Sequence, residues 1–339
     1  MRFIFDPSSN KHYPVDSRQG RELLKAQQRP KNPFIKSSFF HDSPGILNTT
    51  LTLPLLPRGV KSVLHTHEPF LATCTSGCFV LKGHTHCFHY NMHFNQLSTM
   101  EPFDHASTVN NQLSFLSRDK GLEIGGNSTK KLRVFKNSYL HCFKNQSLLT
   151  STKSHCQLFQ DFQANYFTKY SLPDRMTPID QSFLTESTFF LLAQSGQILL
   201  GDSRRGKKFD TFSTNNNQYG GRSFLIRFPF LFTAGLGGSL KVSDIRNIST
   251  GDLFSSPPLF NELTIPKLLM FQDSLVLSPI DSLSTLCDSN SFIFPNSFSS
   301  NLFVSKVYEF FGRIIGCFEG DQYSPFFITQ KDGVVSVLH

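Results

Sequence analysis

The feature that most constrains this chain is a succession of short apolar segments separated by turn residues. Between residues 47 and 144 the segments are LTLPLL, VKSVLH, CFVLKG, CFHYNMHF, KKLRVF and YLHCF, and a second series from residue 168 to residue 251 includes STFFLLAQ, GQILLGDS and GSLKVSDI. Their length and their content of Val, Phe, Tyr and Thr favour strands over helices. No apolar run approaches the roughly 18 residues that span a bilayer, so we expect no membrane span.

We therefore predict a mainly β fold, built of small β-barrels or sandwiches with a short N-terminal helix and irregular extensions. The helix is expected over residues 20–29, and the Pro-, Ser- and Asn-rich tract from residue 252 to residue 300 is expected to be irregular. The predicted parts are a basic N-terminal arm (1–46), a β-rich domain (47–150), a β-rich basic domain (151–251) and an acidic, Phe- and Ser-rich C-terminal segment (252–339) that ends in an Asp-Gly hairpin.

The charge is unevenly distributed. The whole chain carries a formal +8, but residues 250–339 contain four basic and nine acidic side chains, which makes that segment −5 and leaves +13 for residues 1–249. A basic part of this kind typically faces a polyanion, whereas a neutral or acidic part packs or meets protein. A solvated basic surface without a nucleic-acid role is the alternative interpretation of the same charges.

Three basic segments are candidate contacts with RNA phosphates. A basic arm can follow a phosphate backbone, and a loop that combines cations, Gly, Asn and an aromatic ring suits RNA loops. The loop at 202–222 has that composition, and the loop at 118–133 combines cations with Gly. The candidate residues are Arg18, Arg21, Lys25 and Arg29 in the arm, Lys130, Lys131 and Arg133 in the first loop, and Arg204, Arg205, Lys207, Lys208, Arg222 and the stacking residue Tyr219 in the second. Solvated connections between strands remain the alternative.

A zinc site is the other chemistry that the sequence brings to mind. Six His and three Cys residues lie between residues 65 and 93, and Cys74, Cys78, His84 and Cys87 are the set that a tetrahedral site would use. Their spacing is poorer than that of paired CxxC knuckles, and imidazoles on a hairpin facing water or phosphate explain the same pattern. We therefore expect no bound metal or cofactor.

Enzymatic signatures do not occur in the sequence. The Gly pairs at 125–126, 220–221 and 237–238 have neither the Lys-Ser/Thr of a phosphate-binding P-loop nor the spacing of a dinucleotide fingerprint, and no Ser lies in a G-x-S-x-G elbow. The chain is accordingly predicted not to be an enzyme.

Composition bears on origin. Phe (37 residues) dominates the aromatic residues and Trp is absent, which indicates a T-rich genome such as that of an organelle. The seven Cys residues form no regular framework, and the N-terminus lacks the apolar core of a secretory signal, so free thiols in a reducing compartment are expected.

Two stretches resemble the family of the universal large-subunit ribosomal protein two. LPLLPRGVKSVLHTHE (53–68) and FLATCTSGCFVLKGH (70–84) are similar to its LPL run, Pro-x-Gly turn and following strand. GRIIGCFEGDQYSPFFITQKDG (312–333) is similar to its strand with an acidic pair and an Asp-Gly hairpin. The matching positions of this second stretch are Ile315, Phe318, Glu319, Asp321, Asp332 and Gly333. The two stretches stand in the reverse of the family's order. The resemblance implies small β-barrels that bind ribosomal RNA.

Together these observations predict a structural, RNA-contacting subunit of a large ribonucleoprotein assembly, namely a ribosomal protein of the mitochondrion with a role in translation. Its expected partners are ribosomal RNA and neighbouring proteins. The alternative is a protein–protein scaffold subunit of an organellar or viral assembly without RNA contact, which the high Phe content and the low charge favour.

Overall fold

The computed structural model describes residues 3–6, 11–14, 17–19, 60–65, 68–75, 77–125, 130–132, 134, 136–164, 166–174, 176–213, 221–246, 252–261, 264–271, 274–282, 290–294, 308–310, 312–320, 323–331 and 333–338. Regular structure in these residues consists almost entirely of β-strands. A short 3-10 turn occupies Leu236–Gly238. None of the helices in the described ranges is long and apolar enough to cross a membrane.

The strands are numbered in chain order. They are β1 (Phe3–Asp6), β2 (Lys11–Pro14), β3 (Val60–His65), β4 (Leu71–Cys74), β5 (Cys78–Lys82), β6 (Cys87–Asn91), β7 (Gln96–Met100), β8 (His105–Val109), β9 (Gln112–Ser117), β10 (Gly121–Ile124), β11 (Lys130–Leu132), β12 (Leu140–Lys144), β13 (Ser147–Ser151), β14 (His155–Phe159), β15 (Phe167–Ser171), β16 (Pro178–Phe183), β17 (Thr188–Ala193), β18 (Gln197–Asp202), β19 (Phe209–Ser213), β20 (Gly221–Arg227), β21 (Phe230–Gly235), β22 (Leu240–Asp244), β23 (Asp252–Ser255), β24 (Thr264–Phe271), β25 (Ser274–Ser282), β26 (Ser291–Phe294), β27 (Tyr308–Phe310), β28 (Arg313–Gly320), β29 (Tyr323–Lys331) and β30 (Val334–Leu338).

Apart from a hairpin of β1 and β2, the described strands form seven four-stranded antiparallel sheets. Six are meanders of consecutive strands, β4–β7, β8–β11, β12–β15, β16–β19, β20–β23 and β24–β27, and the seventh joins β28–β30 to β3. The first strand of each sheet contacts the first strand of the next, and β28 contacts β4, so these strands make a closed ring. The fold is therefore a seven-bladed β-propeller; the blades are numbered 1 to 7 in the order just given.

Apolar layers between neighbouring blades hold the ring together. The seven buried clusters of the described residues each draw their side chains from two adjacent blades, including the pair formed by blades 7 and 1. Strand β17 shows how the sequence encodes this arrangement. Phe189 and Leu191 face blade 3, whereas Phe190 and Leu192 face blade 5. Because both faces of a blade are buried, the strand is a continuous apolar run instead of an alternating one.

Blade 7 closes the ring by combining the two ends of the described propeller. Strand β3 pairs with β30, with Val60 opposite Leu338 and His65 opposite Val334. Gln330 reinforces this junction, since its Nε2 donates to the carbonyl of Glu68 (2.6 Å) and its Oε1 accepts from the backbone amide of Phe70 (3.1 Å). Closure consequently depends on pairing between segments that are far apart in sequence.

The expectation of a mainly β fold is confirmed. The expectation of small barrels or sandwiches is wrong, and so are the small β-barrels that the family resemblance implied. Four-stranded meanders packed face to face bury both sides of every sheet, which the strand segments alone do not reveal. The tract from 252 to 300 is also not simply irregular, since it supplies β23 to β26. The Pro residues of this tract do not prevent strand formation, because Pro266 lies opposite Pro279 next to a register shift in the sheet.

Other predictions about chain organisation meet the structure only in part. The helix predicted over residues 20–29 lies outside the described residues. Residue 150, the predicted end of the first β-rich domain, lies inside β13. The Asp-Gly turn predicted near the C-terminus falls between β29 and β30, where Lys331 pairs with Val334 and Gly333 has a φ of 75°.

The seam between blades 7 and 1 gives a direct test of ring closure. A Cβ added at Gly316 in β28 would lie 2.6 Å from the Cβ of Ala72 in β4, whereas one added at Gly77 would meet nothing within 4 Å. We expect Gly316→Ala to lower the free energy of unfolding by roughly 1–3 kcal/mol, as overpacking does. The control Gly77→Ala should change it by less than about 0.5 kcal/mol. Urea unfolding measures both, and equal stability of the two variants would contradict the seam.

Candidate anion-binding site

The two ends of the propeller carry different loops. In an antiparallel meander the connection into the first strand and the turn between the second and third strands lie at one end, and the other two turns lie at the opposite end. The end formed by the connections between blades and by the second-to-third-strand turns is called the upper face. It includes residues 136–139, 152–154 and 172–174, whereas residues 203–208, between β18 and β19, belong to the lower face.

A basic recess opens on the upper face around blade 3. Its volume is about 720 Å³, and its lining comes from blades 2, 3 and 4. Four cationic side chains line it, namely Arg118 after β9, Lys136 before β12, Lys153 between β13 and β14, and Lys169 in β15. None of its described lining residues is acidic. A second cavity, of about 280 Å³, differs in holding Glu101 and Glu123 beside Lys120. The larger recess is thus the one suited to an anion.

Tyr139 forms part of the wall of this recess and is fixed by the next blade. Its hydroxyl donates a hydrogen bond of 2.5 Å to the carbonyl oxygen of Pro178, the first residue of β16. Burial raises the pKa of Tyr139 to about 12, although nearby Arg118 acts in the opposite direction. The phenol therefore stays protonated as a donor at neutral pH, and its ring ties the loop before β12 to blade 4.

The cations of the recess differ in how they are compensated. Arg118 is paired with Asp104, with 2.9 Å between its Nε and the carboxylate Oδ1. Within the described part of the chain no carboxylate pairs with Lys136 or Lys153, and both side chains are exposed. Since Asp104 compensates Arg118, the positive potential of the recess comes mainly from its lysines.

The basic residues predicted from sequence do not form one site. Arg204 and Arg205 lie on the lower face, where Asp202 holds Arg204 through Nε (2.9 Å) and Nη2 (2.8 Å). Arg205 is 3.6 Å from Asp210. Lys207 and Lys208 are exposed on the same loop. The paired arginines stabilise their own turn, because the hydrogen bonds of Arg204 lower the pKa of Asp202 to about 2.

The remaining candidates are scattered or lie outside the described residues. Arg18 is exposed beside the β1–β2 hairpin. Lys130 and Lys131 begin the outer strand β11 of blade 2. Arg222 is in β20 near the upper face, and its Nε is buried without a hydrogen-bond partner among the described atoms. Arg21, Lys25, Arg29, Arg133 and Tyr219 lie outside the described residues.

The residues considered for zinc are not brought together. Cys74 and Cys78 lie where β4 turns into β5, whereas His84 and Cys87 lie beyond the other end of β5. No group of three metal-ligating side chains occurs among the described residues. Burial raises the pKa of the Cys74 thiol, and nearby Cys317 and Cys78 raise it further, so the Cys74 sulfur stays protonated at neutral pH.

The central channel contains a network of charged and polar side chains that sequence analysis missed. Asp180 on β16 accepts hydrogen bonds from Lys267 Nζ (3.2 Å), Ser223 Oγ (3.3 Å) and the amide of Phe224 (3.2 Å). Asp180, Ser223 and Lys267 each follow a register shift in the first strand of their blades. Such bulges re-aim side chains, which explains why strand alternation could not predict these contacts.

Two histidines and a serine form a second polar cluster, where blades 2 and 3 meet. His141 Nδ1 is 3.2 Å from His105 Nδ1, and His141 Nε2 is 2.8 Å from Ser114 Oγ, which donates to the carbonyl of Ser107 (2.9 Å). All three contacts are satisfied when His141 donates from Nε2 and accepts at Nδ1. Since Ser114 and His141 are fully buried, no substrate reaches this serine, and the cluster acts as a buried polar network.

The comparisons with known proteins bear on the fold alone. A scan against protein-family models and a search of curated proteins found no match. Among solved structures, the chain is similar to the computationally designed Ika8 protein, at 10% identity, with a TM-score of 0.54, over 82% of this chain and 98% of that one. At this identity the likeness concerns the fold and says nothing about function.

The buried histidines predict acid sensitivity. Burial lowers the pKa of His105 to about 3, with Lys267 and Lys82 contributing, and burial also lowers that of His141. Unfolded His titrates near pH 6.5, so the unfolded chain binds more protons below that pH and stability falls as pH decreases from about 6.5 towards 3. Urea unfolding at several pH values measures this dependence. As pH decreases, the free energy of unfolding of His105→Asn should fall less steeply than that of the wild type, by up to about 1.4 kcal/mol per pH unit. An unchanged slope would contradict the conclusion that buried His105 and His141 are neutral.

Proposed function

We propose that this chain is a non-catalytic, RNA-contacting subunit of a ribonucleoprotein assembly. The observation that carries the proposal is the basic recess of the upper face, whose described lining residues include four cations and no acid. Mitochondrial ribosomal RNA and neighbouring ribosomal proteins are the partners that the sequence predicts for it. The broader proposal, that a phosphate backbone contacts this face, does not depend on which particle it is.

The charge of the recess supports a polyanion as the ligand. Phosphate contacts by Lys and Arg supply most of the affinity of sequence-independent RNA binding, because they release condensed counterions. Three of the four described cations of the recess are Lys. The compact charge of a Lys ammonium suits phosphates in varied orientations, whereas the planar Arg guanidinium favours bidentate contacts in one geometry. The chain's net charge of +8 adds a long-range attraction in the same direction.

The interior of the propeller supports a binding role in preference to a catalytic one. The only Ser–His contact described above is buried, and Lys267 and Asp180 are paired with each other across the channel. Catalysis requires a nucleophile or base within reach of a substrate. Exposed cations such as Lys136 and Lys153 lie instead on the upper face, and Lys207 and Lys208 are exposed on a lower-face loop.

Charge reversal on the two faces tests the proposal. Lys136→Glu/Lys153→Glu removes the unpaired cations of the recess, while Lys207→Glu/Lys208→Glu makes the same change in net charge on the lower face. We expect the first pair to weaken binding of single-stranded RNA by at least about tenfold and to reduce the salt dependence by roughly 1.4 log–log units, since each phosphate contact contributes about 0.7. The second pair should have a much smaller effect.

Fluorescence anisotropy with a labelled single-stranded oligonucleotide, titrated at several salt concentrations, gives both quantities. Equal losses in the two double variants would mean that only the net charge matters and would reject the recess as the site. Absence of RNA binding by the wild-type chain would reject the proposed function itself.

A further inference from the structure

In blade 1 a carboxylate side chain of the protein itself, called an internal carboxylate, bridges two segments. These are the connection that enters the blade and the blade's upper turn. Glu68, in the connection before β4, accepts hydrogen bonds from the amide and hydroxyl of Thr85 and lies 3.0 Å from His86 Nδ1. Burial by itself raises the pKa of Glu68, but these hydrogen bonds outweigh it and lower the pKa to about 2. The carboxylate is therefore a charged, well-satisfied part of the upper face.

Blade 2 repeats this arrangement with different residues. Asp104, in the connection before β8, accepts from the amide of Arg118 through Oδ2 (2.8 Å) and pairs with Arg118 Nε through Oδ1 (2.9 Å). Arg118 begins the upper turn between β9 and β10. In two successive blades a carboxylate thus bridges the incoming connection and the upper turn, from three residues before the first strand in blade 1 and from one residue before it in blade 2.

In the described residues of blade 3 no carboxylate bridges the connection and the upper turn, and the connection differs from that of blade 1 in the positive φ of Asn137. Asn137 precedes the first residue of β12 by three positions, as Glu68 precedes the first residue of β4. The turns also correspond, because the amide of Thr152 donates to the carbonyl of His155 just as that of Gly83 donates to His86, each at 2.8 Å.

A hydroxyl takes over the role of the carboxylate within the turn of blade 3. Thr152 Oγ1 accepts from the amides of Ser154 (3.3 Å) and His155 (3.0 Å), so this turn is satisfied without Glu or Asp. Tyr139 meanwhile extends to Pro178 of blade 4. The place between connection and turn is consequently left open, and Lys136 and Lys153 border it.

We propose that a phosphate group of the bound RNA occupies, in blade 3, the place that an internal carboxylate occupies in blades 1 and 2, with Lys136 and Lys153 as its countercharges. This inference rests on the proposed function and makes it specific to one subsite. A phosphate and a carboxylate present similar anionic oxygens to cations and N–H donors. The recess, at about 720 Å³, also has room for the sugar and base that accompany the phosphate.

Restoring the missing carboxylate tests the inference. Asn137 has a φ of 66°, a conformation that Asn and Asp tolerate better than most residues, so Asn137→Asp is expected to fold. The matched control is Asn261→Asp, the same change in the connection between blades 5 and 6 on the same face. In fluorescence anisotropy, Asn137→Asp should lower the affinity for single-stranded RNA at least about tenfold, whereas Asn261→Asp should change that affinity less than about twofold.

A second measurement tests the subsite with inorganic phosphate alone. Phosphate should raise the midpoint of thermal unfolding of the wild type more than chloride at equal ionic strength, and Asn137→Asp should abolish the difference. Equal RNA affinities of the two Asp variants, or a phosphate effect that persists in Asn137→Asp, would overturn the inference while leaving RNA binding intact. A wild type that binds phosphate but no RNA would overturn the proposed function and retain the anion subsite.

Discussion

The structure depends on apolar packing between neighbouring blades, repeated until the ring closes. Each blade buries both of its faces, so a blade without its neighbours would expose two apolar surfaces. This requirement explains why a chain with 37 Phe residues and only 17% charged residues folds into a globular protein. Most of the described Phe side chains are buried. Among them, Phe167 and Phe228 are exposed, with 46% and 63% of their surface accessible. The abundance of Phe therefore reflects the interior of the ring in the first place.

Ring closure fixes where functional groups are found. The first strands surround the channel, and their register shifts direct Asp180, Ser223 and Lys267 into it. The upper face collects connections from every blade, so residues distant in sequence such as Arg118, Lys153 and Lys169 line one recess. Blades 1 and 2 neutralise this face with Glu68 and Asp104, whereas no carboxylate pairs with Lys136 or Lys153 in the described part of blade 3. The candidate site is thus a local departure from a pattern that the neighbouring blades establish.

The sequence predicts the strands well and their arrangement poorly. Runs such as STFFLLAQ and GQILLGDS coincide with β17 and β18, because strand length and β-branched or aromatic content are local properties. The number of blades was missed because their spacing follows no fixed period, and closure was missed because β3 pairs with β30 from the other end of the described chain. The basic composition of residues 118–133 led to Lys130, Lys131 and Arg133, but not to Lys136 just beyond that loop or to Lys153, which stands alone in sequence. Lys136 and Lys153 line one recess only because of the fold.

The central claim is that this propeller belongs to a particle held together by RNA. The most direct measurement is to sediment a native lysate through a density gradient, with and without RNase, and to locate the chain by mass spectrometry. Migration with a large particle that collapses on RNase treatment is the predicted result. Migration in a particle that is indifferent to RNase, or as a free chain, would contradict the account and would favour a protein scaffold whose basic recess serves another anion.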